Sequence, residues 1–268
     1  MPTNKQRREA AQRHLQRQLE RREQQARTRR RNLLIGVTVI AVLAVVAAVF
    51  IITGITGEDD TADTAGLASD NSPPALVVDG SDGTCDFTEA SRGETTTDVG
   101  IPPAEVPTSG TTEVTMTTNV GAIPLTLDQE SAPCASASMV YLAQQGFYDG
   151  TICHRETASE TLSVLQCGDP SGTGTGGPSY EFPTQVTGEE TYPRGTLAMA
   201  NSGSGFDGSQ FFLVYADSTL PPDYTVFGTI GEAGLQVLDT IAAAGIEGGA
   251  SDGAPAQPVT IESMTVQQ

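Results

Sequence analysis

Tryptophan is absent from the 268 residues, histidine occurs twice and lysine once, at Lys5. His14 belongs to a basic N-terminal tail and reads as a solvated side chain, which leaves His154 as the imidazole for any acid–base role. The one Gly-x-Ser-x-Gly match, Gly249 to Gly253, is neither preceded by a β-like run nor followed by a helical pattern, as a nucleophile elbow requires, and this argues against a Ser-His-Asp hydrolase. The glycine-rich run from Gly172 to Gly177 is not followed by Gly-Lys-Ser/Thr, so it reads as a loop and not as a phosphate cradle. The four cysteines, Cys85, Cys134, Cys153 and Cys167, are spaced by 49, 19 and 14 residues and fit no zinc pattern. Four cysteines allow three connectivities, which spacing alone does not rank.

Positive charge is scarce beyond the N-terminus. Of the 14 lysines and arginines, 11 precede residue 32, and only Arg92, Arg155 and Arg194 follow. The later part holds 30 of the 33 acidic residues, a balance of −27, which favours solubility and disfavours nucleic acid or anionic substrates. Between the two regions, Leu33 to Ile52 is 20 residues without a charge. As a helix it would be about 30 Å long, one hydrocarbon core, and it reads as a transmembrane helix. A cleaved signal peptide fits less well, because the preceding basic segment is too long for an n-region and no Ala-x-Ala site follows. Arg29, Arg30 and Arg31 abut the span on one side and Glu58, Asp59 and Asp60 follow on the other, which puts the N-terminus in the cytoplasm. The tail has no aromatic residue for base stacking and reads as a topogenic segment that also touches anionic lipid. All four cysteines then lie outside, where disulfides persist.

The expected organisation is a basic cytoplasmic tail over 1–32, a span over 33–52, a largely disordered linker over 53–108 and a folded domain over 109–268. The linker is dominated by Thr, Asp, Gly, Pro and Ser. Ala75 to Val78 and Cys85 to Phe87 interrupt it and suggest a short docked piece. From Thr111, alternation of Val114, Met116 and Thr118, a turn over Asn119 to Ala122, and alternation of Ile123, Leu125 and Leu127 predict a β-hairpin. A helix starting at Ser131 or Ala132, with Pro133 in its first turn, ends at Gly146. Short β-like runs follow at Thr151 to Arg155, Ser163 to Gln166, Thr196 to Ala200, Gln210 to Tyr215 and Val226 to Ile230. Leu235, Leu238, Ile241 and Ala242 make a second helical stripe, and Val259, Ile261 and Met264 a last strand. This order predicts a mainly β barrel capped by two helices.

The run Gly208-Ser209-Gln210-Phe211-Phe212-Leu213-Val214, preceded by Leu197-Ala198-Met199-Ala200-Asn201, resembles the signature of cyclophilin-type peptidyl-prolyl cis/trans isomerases. Further segments follow in the family's order: Phe147-Tyr148-Asp149-Gly150-Thr151 leading to His154-Arg155, Gln166-Cys167-Gly168-Asp169-Pro170, Gly174-Thr175-Gly176-Gly177, Tyr180-Glu181-Phe182 and Val226-Phe227-Gly228. The resemblance covers about residues 111 to 268. It implies a closed eight-stranded antiparallel barrel with two helices and a shallow groove on the outer wall.

By the same resemblance, Arg155 is the catalytic arginine and Gln166 the glutamine that orients substrate beside it. Ala200 and Asn201 offer backbone groups to the peptide, and Gln210 is a second groove glutamine. Phe212 floors the proline pocket, Val164 lines it, and Leu220 and Tyr224 complete its rim. Some positions depart from familiar members. Ser163 stands where a pocket phenylalanine is common, with Leu162 beside it able to supply apolar area. Thr219 replaces a tryptophan associated with cyclosporin binding, and Tyr224 a groove histidine. The loop Glu156 to Thr161 has no Pro-Gly pair and is longer by about three residues. The family register sets Cys153 against Cys167 on neighbouring strands and lets Cys85 reach Cys134; the alternative is free, buried thiols.

The implied activity is isomerisation of Xaa-Pro bonds in proline-containing clients, secreted or envelope proteins of a bacterium, by a monomer with no cofactor, metal or nucleic acid. A cyclophilin-like module that tethers proline-containing partners with little turnover is the competing expectation.

Overall fold

The computed structural model describes residues 80–201, 203 and 205–267. The expected tail and span, and residues 53–79 with the Ala75 to Val78 piece, lie outside them. Among the described residues no helix is long and apolar enough to cross a membrane.

In chain order the elements are β1 (Thr88–Glu89), β2 (Thr96–Thr97), β3 (Thr111–Thr118), β4 (Ala122–Asp128), α1 (Pro133–Gln144), β5 (Arg155–Ala158), β6 (Ser163–Cys167), β7 (Gly177–Pro178), β8 (Tyr180–Pro183), β9 (Thr196–Met199), β10 (Phe206–Asp207), β11 (Phe211–Val214), β12 (Val226–Ile230), α2 (Glu232–Ala244), β13 (Asp252–Gly253) and β14 (Ile261–Val266). The expected hairpin is β3–β4, with Val114 opposite Leu125 and Met116 opposite Ile123. All four side chains are buried, as period-2 alternation on a half-buried sheet requires. Pro133 opens α1, where its missing N–H costs nothing. Met139 and Leu142 turn inward, and Gly146 ends the helix with a positive φ that a side chain would resist.

The main sheet has nine strands in the order β13-β5-β6-β11-β9-β12-β4-β3-β14. It is a curled half-barrel accompanied by two helices, a coarser arrangement than the closed eight-stranded barrel expected. The ninth strand is the two-residue edge strand β13, and two further differences lie in its neighbour β5. Residues 151–154 do not form the strand expected from Thr151 to Arg155; they meet the start of β14 through a single bridge, Ile152 to Thr260, and the strand proper begins at Arg155. The first half of the expected loop Glu156 to Thr161 is β5 itself, which leaves a tight turn in which Ser159 N donates to Leu162 O at 3.0 Å.

Residues 80–108 correct the linker expectation further. The folded part begins well before residue 109, because this segment is strapped to the domain at several points. Cys85 is disulfide-bonded to Cys134 at the start of α1. Phe87 meets Tyr180 and Phe182 edge-on, with ring centroids 5.6 and 5.5 Å away. β1 pairs antiparallel with β8, β2 pairs parallel with β7, and the Tyr141 hydroxyl donates to Val99 O. The expected docked piece at Cys85 to Phe87 is part of this strap; composition hid the rest, since each contact joins residues far apart in sequence.

Apolar side chains divide between the two faces of the sheet. The inner face carries Leu165, Leu197, Met199, Phe211 and Leu213 in the main core. The outer face carries a second cluster of Val164, Tyr192, Ala198, Phe212 and Val214. Adjacent strand residues point opposite ways, so Phe211 serves the core while Phe212 serves the outer wall.

Candidate active site

The site is built on one lateral row of the outer face. Arg155 on β5 is the ladder partner of Gln166 on β6, Gln166 of Phe212 on β11, and Phe212 of Ala198 on β9. Because paired residues share a face, four separate stretches of sequence present their side chains side by side.

Above this row is a cavity of about 110 Å³. Arg155, Gln166 and Asn201 supply its polar lining; Val164, Phe212 and Leu220 supply apolar walls, completed by Ala200, Tyr224 and Leu162. Leu162 occupies the role open at Ser163, whose hydroxyl instead donates to Ser159 O at 3.1 Å. The Tyr224 and Phe212 rings meet edge-on at 5.6 Å, and Tyr192 fixes the loop beneath by hydrogen bonding Tyr224 O at 3.1 Å. Gln210 lines a neighbouring cavity of about 300 Å³ that shares Gln166, Ala200 and Asn201 with the first. The Ala200 N–H already donates to Gln210 O at 2.8 Å, so its carbonyl is the group left for a peptide. The Asn201 side chain ties its loop to Asp223 O at 2.9 Å.

Sequence reasoning missed the residue that holds the arginine. Asp252 on the edge strand β13 accepts from Arg155 Nε and Nη2, both at 2.8 Å, and Gln166 Oε1 accepts from Nη1 at 3.2 Å. The chain of bonds continues: Gln166 Nε2 donates to Gln210 Oε1 at 2.9 Å, and Gln210 Nε2 to Gly176 O at 3.0 Å. A guanidinium has five N–H donors. Three are engaged here and two remain for a ligand. The Asp252 hydrogen bonds hold the arginine pKa above its ordinary value, and the same bonds hold the Asp252 carboxyl below the usual range. The only signal for Asp252 in the sequence was its place in a glycine-rich stretch after the second helix.

Among the described residues His154 has no partner that would orient it as a base. Burial, with Arg155 nearby and Asp169 acting in opposition, lowers its pKa, and neither ring nitrogen has a hydrogen-bond partner among the described residues. The glycine run is likewise occupied: backbone N–H groups of Ser171, Thr173 and Gly174 donate to the buried Asp169 carboxylate. A loop whose amides already hold a carboxylate has no cradle for a phosphate. Gly174, Thr175 and Gly176 instead line the second cavity.

Beside Arg155, but facing the interior, Glu156 is fully buried and neither carboxylate oxygen has a hydrogen-bond partner among the described residues. Burial pushes its pKa up from 4.5 to about 7. Tyr215, whose own pKa is raised mainly by burial and then by Glu156, is the ionisable group facing it. The folded state prefers the neutral acid, so its stabilising effect is full below 4.5 and is lost as pH rises through about 7. Thermal unfolding followed from about pH 5 to about pH 8 should show a falling midpoint, and Glu156→Gln should flatten part of that fall. Some slope should remain, because burial also raises Asp207 to about 7 against hydrogen bonds from Thr225 and Asn201. A variant with an unaltered profile would remove Glu156 from this account.

Both disulfides implied by the family register are present, Cys85–Cys134 and Cys153–Cys167, and the described residues include no free cysteine.

The curled sheet with its arginine-edged cavity on the outer wall places the domain in one class of β proteins. The chain belongs to the cyclophilin type peptidyl-prolyl cis-trans isomerase/CLD family, whose model matches residues 113–266. It is 50% identical over 186 residues to a probable peptidyl-prolyl cis-trans isomerase B of Mycobacterium tuberculosis, covering 62% of this chain and 60% of the relative. It therefore spans about 60% of that relative's length. A probable peptidyl-prolyl cis-trans isomerase B of Mycobacterium leprae is 49% identical over 298 aligned positions, 98% of this chain and 99% of the relative. Among solved structures, a cyclophilin type peptidyl-prolyl cis-trans isomerase of Cryptosporidium parvum superposes with a TM-score of 0.52 at 28% identity, over 59% of this chain and 99% of that one.

Proposed function

We propose that the chain is a peptidyl-prolyl cis/trans isomerase that acts on proline-containing polypeptides outside the cytoplasmic membrane of a bacterium. The observation that carries the reading is the fixed Arg155 guanidinium on the wall of a small cavity floored by Phe212.

Rotation about a peptide bond faces about 18 to 20 kcal/mol because the nitrogen lone pair is shared with the carbonyl. In the twisted transition state that sharing is lost, and the proline nitrogen becomes a better hydrogen-bond acceptor. A donor placed there binds the twisted form more tightly than either planar isomer, which is what catalysis requires. Arg155 suits the role because it stays protonated and presents a rigid fork, two arms of which are held by Asp252. The ring sits among Val164, Phe212 and Leu220, while Gln166 and the Ala200 carbonyl hold the flanking chain. No bond is made or broken, and no proton moves.

The anchor at Leu33 to Ile52, a cytoplasmic N-terminus and clients among secreted or envelope proteins belong to the same proposal. The lysine and arginine bias around that run supports the orientation. Two disulfides support an oxidising compartment. The test is direct: the full-length chain, purified in mild detergent, should accelerate cis-to-trans conversion of a proline tetrapeptide in a protease-coupled assay. Binding of proline peptides without acceleration would favour the tethering module, whose sequence support is Ser163 and the altered loop Glu156 to Thr161.

A further inference from the structure

The strap over residues 80–108 brings to the groove a residue from outside the family-matched region, which starts at 113. Arg92 lines the second cavity together with Phe206, Gln210 and the glycine loop. Its guanidinium lies against two positions that lack a Cβ: one added to Gly177 would come within 2.5 Å of Arg92 Nε, and one added to Gly208 within 2.9 Å of Nη2. Arg155 and Arg194 are each paired with an aspartate, at 2.8 Å in both cases. Arg92 forms no such pair among the described residues, and its buried Nε has no hydrogen-bond partner there. In a region carrying 30 acidic residues and three arginines, a half-buried arginine without a carboxylate is the exception.

We propose that Arg92 is a specificity-determining residue that receives an acidic side chain of the client, two or three residues from its proline. This deepens the isomerase reading and rests on it for the position of the proline. Both cavities share Gln166, Ala200 and Asn201, and an extended peptide advances about 3.3 to 3.6 Å per residue, so one short strand can fill both. A carboxylate there would meet the fork bidentately, which a neutral side chain cannot do. The acidic exterior opposes this only weakly. Exposed charges beyond about 8 Å are largely screened at physiological ionic strength, whereas a contact inside a cavity is not.

The full-length protein in mild detergent would be assayed with paired proline peptides that differ only in Glu, Gln or Lys at each of the three positions on either side of the proline. At one position the Glu/Gln ratio of kcat/KM should be about 10, the factor carried by 1.4 kcal/mol. Arg92→Gln should bring that ratio to about 1, Arg92→Glu should invert it in favour of Lys, and Arg92→Lys should retain part of it. A ratio within one variant does not depend on how much of it is folded. A wild-type ratio near 1 at all positions, or a ratio that survives Arg92→Gln, would overturn the proposal. Should no peptide be isomerised, the same ratios are read as Kd by fluorescence anisotropy of labelled peptides. Failure of the isomerase reading is thereby separated from failure of Arg92 as an acid receptor.

Discussion

Replacing Arg155 by alanine is expected to lower kcat/KM for proline peptides by about 100-fold or more, the range seen when a preorganised transition-state donor is removed. Arg155→Lys should restore little of it, because an ammonium cannot be held at two points by Asp252 and still reach Gln166 and the ligand. Asp252→Asn separates holding from acting. It should cost about 10-fold, mostly in kcat, since the arginine remains but is less well oriented. Stability should barely move, because an ion pair whose side chains are 38% and 55% exposed is worth no more than about 1 kcal/mol. If Arg155→Ala isomerises as fast as the wild type, the proposed mechanism is wrong.

The second large effect concerns the strap. Cys85 and Cys134 are 49 residues apart, and closing a loop of that length restricts the unfolded chain by about 4 kcal/mol. The double variant Cys85→Ser, Cys134→Ser should therefore unfold at a lower temperature than the wild type, and reduction of the wild type should move it the same way. The remaining strap contacts are short: β1 and β2 are two residues each, and Phe87 is one aromatic anchor. Amide exchange in residues 85–99 should rise before exchange in β3 and β4 does. Equal protection in both states would show that pairing alone keeps the strap down.

Much of this architecture is legible in sequence because it is local or periodic. The β3–β4 hairpin follows from alternation and its turn, and α1 from Pro133 and Gly146. The groove was legible by a different route, the family resemblance, which named Arg155, Gln166, Val164, Phe212, Leu220 and Tyr224 as neighbours. The ladder register supplies the physical reason: residues far apart in sequence are lateral partners on one face. Asp252 was not legible, because it lies 97 residues from Arg155 on an edge strand of two residues, too short for any pattern. Arg92 was hidden for a related reason. Its surroundings have a linker's composition, and only a distant cysteine and the β7–β8 region give it a place. Leu162 and Ser163 exchange roles through a turn whose geometry no residue count reveals.

The short β13 strand has a consequence for how the protein loses function on heating. Two ladder pairs, Asp252 with Thr157 and Gly253 with Glu156, and one flanking bond from Ala158 N to Ser251 O at 2.9 Å join β5 to the segment that carries the arginine's counter-ion. A margin so slight frays at lower temperature than the interior melts. Thermal inactivation should then set in while circular dichroism still reports an intact sheet, and cooling should restore turnover without any refolding of the core.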